Sequence, residues 1–214
     1  MKLRGLGGGV CELVDCRGGL ASGNCVEWRR LPAWETLGAV APVIFEADVR
    51  AAALAEARLG AGQSSPIFLD VTFGAGSSCC LMLEGRPHLG THGLTGTMAS
   101  SPPGAPCERC GHTSGRSLEA FASGPGLVAR YRAAGGEAKD GSAVLAATAA
   151  GNEAARRIVQ SASDALGSPV ALWVNTLGPG AVVVGGGLGV SEGLYWEHFR
   201  EAARRHIRSP LNRG

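Results

Sequence analysis

The sequence predicts an α/β protein, because short strand-like apolar runs alternate with longer helical runs and glycine clusters close several of the strands. Two segments carry most of that reading. Ile67–Phe73 (IFLDVTF) is almost continuously apolar, as a strand buried on both faces would be, and it breaks at Gly74-Ala-Gly76. Glu153 to Leu166 repeats its apolar residues at the helical period.

The other elements follow in order. Residues 1–38 predict no regular element, with Gly7–Gly9 and Gly18–Gly19 interrupting them. Pro42–Phe45 reads as a short strand. Val49 to Leu59, dense in alanine and leucine, reads as a helix with Asp48 as its N-cap and Gly60 and Gly62 as its stop. Gln63–Pro66 has linker composition. After the break at 74–76 the chain resumes at Cys80–Leu83, which predicts a hairpin with the preceding strand. Residues 84–117 read as loop. Leu118 to Ala134 predicts a helix interrupted at Gly124-Pro-Gly126. The helix from Glu153 continues past Pro169 to Leu177, with a kink expected at the proline. Ala181–Val184 is a further strand running into Gly185–Gly187. A last helix spans Ser191 to Ile207, with Ser191 as its cap.

Composition narrows the function classes. The 214 residues are 45% hydrophobic, enough for one large domain or two small ones. Twenty basic residues against 18 acidic ones give a net charge of +2 with no basic run longer than a few residues, so nucleic acid is not an expected partner. No run approaches the length of a membrane-spanning helix, and the N-terminal stretch lacks the apolar core of a signal peptide. The cytoplasm is the expected location. The 7 cysteines are irregularly spaced and predict thiols or partial metal ligands rather than a disulfide framework.

Glycine supplies the first chemical clue. Gly74 and Gly76 after a strand, with the Thr72 hydroxyl nearby, would let backbone amides approach phosphates; a plain hairpin turn explains the same residues. Gly185, Gly186 and Gly187 would let a nucleotide pass close to the backbone, or simply form a tight strand-to-helix turn. Cys107 and Cys110 are spaced like half a zinc site.

Several of these segments, in order from about residue 11 to 200, resemble the ROK family of bacterial sugar kinases and sugar-responsive repressors. Glu46–Glu56 (EADVRAAALAE) is similar to the family's E-N-D-x-x-x-A-A-L-A-E segment, with Gly60 and Gly62 following at the family spacing. Asp70–Gly76 resembles the phosphate turn T-x-G-T-G. Gly85–Gly96 is similar to the hairpin leading into the sugar loop. Cys107 to Gly111 and Leu118–Gly124 (LEAFASG) resemble the cysteine-rich loop and the helix that follows it. Val182–Gly187 is similar to the adenosine-side strand and turn.

The resemblance implies an actin-like ATPase fold, with an incomplete sugar-binding lobe in residues 1–62 and a nucleotide-binding lobe in 67–214. It implies phosphoryl transfer from ATP, accompanied by Mg²⁺, to a hydroxyl of a hexose or N-acetylhexosamine, and it is compatible with a homodimer. Asp48 matches the family's catalytic base; without the resemblance, a helix N-cap would explain it as well. Asn24 and Glu119 fall at sugar-contact positions. The two lobes are expected to meet near residues 62–67, with Asp48 facing the turn at 74–76.

Departures from the family pattern imply impaired activity. Ala47 stands where the family has a sugar-binding asparagine, and the G-E-x-G-H stretch either aligns to Gly96–Ser100 or has lost three residues before Thr97-Met98, so that its glutamate and histidine are absent in both alignments. Glu12 replaces a glycine of the N-terminal P-G-x-V-D motif, and Ser77–Cys80 replaces a glycine run. Ser117 stands where a third cysteine is expected, which leaves either a metal-free remnant or a structural Zn²⁺ completed by His112. A D-x-G-G-T phosphate turn would precede residue 1, and a closing strand and helix would follow residue 214. The alternative functions are a non-catalytic sugar-responsive regulator module and an inert remnant.

Overall fold

The computed structural model describes residues 3–213 except 24, 29, 30 and 102–116. Asn24, Cys107, Cys110 and His112 therefore lie outside the described residues. The chain divides into two compact units, 1–70 with 80–96 and 71–79 with 97–214.

In the first unit, β1 (Leu6–Val10) pairs in parallel with β2 (Val43–Ala47), Leu6 opposite Val43 and Val10 opposite Ala47. The connection between them carries α1 (Ala33–Gly38). The expectation of an irregular segment up to residue 38 is corrected here. Sequence LGGGV shows almost no alternation, yet its glycines make the pairing possible. A Cβ on Gly8 would lie 2.8 Å from the Phe45 ring, so the strand gives up side chains to let that ring pack over it. Val10, Val14, Phe45 and Ala47 form one buried cluster of this unit, with Trp34 4.3 Å from Phe45 between ring centroids.

Helix α2 (Asp48–Leu59) follows β2 directly. Its N-cap is Ala47, which is extended, so Asp48 is the first helical residue rather than the cap. The helix ends where Glu56 folds back: its Oε2 accepts the Ala61 amide at 2.8 Å, and a Cβ on Gly60 would lie only 2.0 Å from that oxygen. A side chain at 60 would displace this Glu56 carboxylate from its place against the Ala61 amide.

A four-stranded sheet has the order β5-β4-β3-β6, formed by β3 (Ile67–Phe73), β4 (Ser77–Leu83), β5 (Arg86–Pro87) and β6 (Ala181–Gly185). Burial of Phe68, Leu69, Val71 and Phe73 matches the two-faced strand expected from the sequence.

The second unit is mostly helical. Leu118–Ala122 (α3) and Gly124–Ala133 (α4) replace the single interrupted helix expected there, each starting on a serine cap: Ser117 accepts from the Ala120 amide and Ser123 from Gly126. Helix α5 (Gly141–Ala149), not expected from the sequence, starts at Asp140, whose carboxylate accepts the Ala143 amide at 2.8 Å. Its GSAVLAATA sequence has too little polarity contrast to show a period.

Helix α6 (Glu153–Leu177) is one element with Pro169 inside it. It packs on α8 (Leu194–His206), and a Cβ on Gly167 would come within 2.5 Å of the Ala202 methyl, so glycine allows the two helices to approach. The last helix starts later than expected. Gly193, at φ +85°, is its N-cap, while the Ser191 hydroxyl donates to the Leu188 carbonyl of the short α7 (Gly186–Gly189). Among the described residues, no helix is long and apolar enough to cross a membrane.

Candidate functional site

In the second unit a cleft of about 560 Å³ opens between the β3–β4 turn, the first residues of α4 and α5, and α7. Gly74, Ala75, Gly124, Pro125, Gly141 and Gly187 form its backbone wall. Its volume is within the range of small-ligand sites.

Local chemistry explains why these segments meet. The Gly74 amide donates to the Gly76 carbonyl at 2.9 Å, closing the turn, and the Gly74 carbonyl accepts the Gly124 amide at 2.8 Å. Both main-chain groups of Gly74 are thus used inside the protein. Gly74 serves close approach, not donation to a ligand. Gly186, at φ +80°, sits under the end of β3: a Cβ there would lie 2.3 Å from the Phe73 carbonyl oxygen. Thr72 is on the same side, its Oγ1 3.9 Å from where a Gly185 Cβ would be.

The expected glycines therefore divide into two groups. Gly74 and Gly187 line the cleft, whereas Gly76, Gly185 and Gly186 shape it from behind. Residues not singled out in the sequence complete it. The N-termini of α4 and α5 both border it, so partial positive charge faces the space, although the first amides of α4 are taken up by Gly74 and Ser123 and Pro125 has none. Arg132 and Lys139 add two cationic side chains, and Arg132 is held by donation to the Ala138 carbonyl at 2.7 Å. An anionic ligand is the chemistry this combination favours. The signals for it in the sequence were caps: Ser123 before Gly-Pro-Gly, and Asp140 before Gly-Ser.

Glu119, expected as a sugar contact, accepts the Ser77 amide at 2.8 Å, and its Oε2 lies 2.9 Å from the position of a Gly76 Cβ. It braces the turn beneath the cleft.

In the first unit, Asp48 is exposed at the C-terminal end of β2, and its Oδ1 accepts the Val49 amide at 2.7 Å. Gly9 of β1 passes beside it, with 3.7 Å between the Asp48 Cα and the place of a Gly9 Cβ. Ala47, next to Asp48, is buried in the apolar cluster and offers no polar group. Arg50, a residue the sequence reading did not single out, ties three segments together. Buried on the first turn of α2, it donates to the carbonyls of Val14 and Gly93, each at 2.7 Å, and pairs with Glu46. Gly93, at φ +79°, is packed against Asp15 and Cys16. Asp15 in turn accepts the Gly19 and Arg17 amides, which hold its carboxyl below the usual carboxylate range. The loop after β1 and the loop before residue 96 are thereby fixed against the base of the helix that carries Asp48.

The comparisons with known proteins agree with this architecture. The ROK family pattern matches residues 4–213. The bifunctional enzyme NanE/NanK of Brucella melitensis biotype 1 is 34% identical over 78% of this chain and 30% of its own length. An N-acetylmannosamine kinase of Citrobacter koseri is 33% identical over 80% of this chain and 58% of its own. The chain thus spans from under a third to about three fifths of these curated relatives. Among solved structures, the ROK hexokinase of Thermus thermophilus has a TM-score of 0.76 and 31% identity, covering 95% of this chain and 69% of that one. A Streptomyces griseus ROK glucokinase, solved with glucose and AMPPNP, shares the fold at a TM-score of 0.78 and 24% identity, over 94% of this chain and 71% of its own. The fold is that of the actin-like ATPases. With the family pattern spanning almost all of its length, the chain belongs to the ROK family.

Proposed function

We propose that this chain is a sugar-kinase relative that binds ATP in the cleft of its second unit, carries the catalytic base Asp48 in its first, and turns over poorly. The observation that carries the reading is the cleft itself, a glycine-walled space onto which the N-termini of α4 and α5 and the cations of Arg132 and Lys139 open. The relatives printed as kinases of N-acetylmannosamine and N-acetylgalactosamine support a hexose or N-acetylhexosamine as acceptor.

In the proposed reaction the sugar hydroxyl oxygen bonds to the γ-phosphorus as the bond from that phosphorus to the β-phosphate oxygen breaks. ADP leaves, and Asp48 takes the hydroxyl proton. Mg²⁺ accompanies the ATP phosphates and offsets their charge. Arg50 acts through position, by anchoring the first turn of α2 beneath Asp48.

Low turnover follows from the sugar side. Ala47 presents a buried methyl group where the family has an asparagine, and the segment 96–100 has lost a glutamate and a histidine. Each hydrogen bond removed is worth about 0.5–1.5 kcal/mol, so three together weaken sugar binding by on the order of a hundredfold to ten-thousandfold.

Titration with a fluorescent ATP analogue and a coupled assay over a sugar panel test the two halves separately. Saturable nucleotide binding is expected, with turnover well below the roughly 1–100 per second typical of kinases. Absence of nucleotide binding would remove the ATP reading. Turnover in the typical range, lost in Asp48→Asn, would confirm the base and overturn the impairment.

A further inference from the structure

We propose that Cys11, Glu12 and Cys25 form a divalent metal site for a thiophilic ion, with Zn²⁺ the best match, at the exit of β1. The two thiol sulfurs and a carboxylate oxygen all lie within 4.8 Å of one another. Ligand atoms arranged tetrahedrally around zinc are roughly 3.5–3.8 Å apart, so closing the site takes a shift of about 1 Å. Cys11 and Cys25 are exposed, and rotation of their side chains supplies that shift.

Glu12 is the part of the cluster built in advance. It is only 5% exposed, and a carboxylate that deep is costly unless its oxygens are held. Its Oε1 accepts the amides of Cys25 and Val26 at 2.7 and 3.0 Å, and its Oε2 accepts the Ser22 hydroxyl at 2.5 Å. Ser22 is fixed in turn, because its oxygen accepts the Leu13 amide at 2.9 Å. A carboxylate oriented by outer hydrogen bonds, next to two thiols, is the arrangement found around metal ligands. The same bonds draw Cys25 to Cys11 across the loop, whose middle is pinned by the bridge between Val14 and Leu20.

The ligand set selects the ion. Two thiolates disfavour Mg²⁺ and Ca²⁺, which take oxygen ligands, and suit Zn²⁺ or its spectroscopic substitute Co²⁺. Binding converts both thiols to thiolates and releases two protons. With the Glu12 carboxylate, Zn²⁺ then has three protein ligands, and water completes the tetrahedron. The ion would clip the start of the loop to its end and rigidify the first unit. This site is independent of the proposed kinase chemistry and of the Cys107–Cys110 pair.

The test uses the full chain carrying Cys107→Ser and Cys110→Ser, reduced, titrated with Zn²⁺ and separately with Co²⁺. One equivalent should bind, with about two protons released and a thiolate-to-cobalt band of the intensity of two sulfurs. Cys11→Ser with Cys25→Ser, both at exposed positions, should lower the affinity by at least on the order of a hundredfold, and Ser22→Ala by roughly tenfold. Folding of each variant is checked by circular dichroism, and the exposed Cys11→Ser alone serves if the others unfold. No binding in the Cys107/Cys110 background, or binding unchanged by the Cys11 and Cys25 substitutions, would overturn the site. A Cys11–Cys25 disulfide that forms in preference to metal binding under reducing conditions would do the same.

Discussion

The Gly124 amide donates to the Gly74 carbonyl at 2.8 Å, so the turn after β3 and the first residue of α4 are one hydrogen-bonded unit. Behind Gly124 lies Gly141, the first residue of α5. A Cβ added at Gly141 would sit 2.9 Å from the Gly124 Cα and 3.4 Å from the Leu188 side chain. Two helix N-termini can open onto one cleft because both carry glycine at this crossing.

Gly141→Ala is therefore expected to push α5 away from α4. Backbone cannot yield as a side-chain tip does, and overpacking of this kind costs about 1–3 kcal/mol. ATP-analogue affinity should fall by roughly tenfold or more. Gly124→Ala should be milder, since its Cβ would meet the Gly74 carbonyl oxygen at an ordinary 3.4 Å. Denaturant melts and nucleotide titration of the two variants side by side check the order. Equal effects would show that the crossing is not the constraint.

Asp70, in the middle of β3, introduces a pH dependence. Burial, with the negative charge of Glu56 adding to it, pushes its carboxyl up to about 7 from 3.8. The folded state therefore holds a proton that the unfolded chain releases near pH 4. The Asp70 contribution to stability is fully present below pH 4, falls as pH rises from about 4 to about 7, and levels off above that, a loss of up to about 4 kcal/mol. Asp70→Asn should remove this slope and be the more stable protein at pH 8. Urea melts of both chains between pH 4 and 8 measure the difference, and parallel curves would contradict the assignment.

Arg50 is expected to matter to the first unit more than its surface-like sequence position suggests. Arg50→Met leaves the Val14 and Gly93 carbonyls without their donor and Glu46 without its cation. The expected loss is about 2–4 kcal/mol. Arg50→Lys recovers little, because one ammonium cannot reproduce a fork that spans two loops. Urea midpoints decide this, and a Lys variant as stable as the parent would show that the fork is not used.

How much of this was legible in the sequence depended on whether a residue's role was local. β3 was readable because IFLDVTF is apolar on both faces, and α6 because its burial repeats with the helical period. β1 was not, because the contact that makes it a strand is with the Phe45 ring, 35 residues or more along the chain, and glycine leaves no pattern. The same holds at the site. The glycines at 74–76 and 185–187 announced a close approach, but which of them line the cleft is decided by Gly124 and Phe73. Arg50 looked like an ordinary helical arginine, since its two acceptors are carbonyls and main-chain acceptors leave no trace in composition.

Glu119 offers a way to separate bracing from sugar contact. Its carboxylate accepts the amide of Ser77, which is buried, so Glu119→Ala would leave that N–H without an acceptor and release the turn under the cleft. The expected loss is about 1–3 kcal/mol of stability, together with several-fold weaker ATP-analogue binding, because Gly74 and Ala75 form the wall the turn supports. Glu119→Gln retains an oxygen at the same reach and should restore both. A residue whose role is to hold a sugar hydroxyl would behave differently: nucleotide affinity and stability would be unchanged in Glu119→Ala, and only the sugar KM would rise. Parallel nucleotide titrations and thermal melts of the three chains discriminate the roles, and unchanged nucleotide binding in the alanine variant would refute the bracing role.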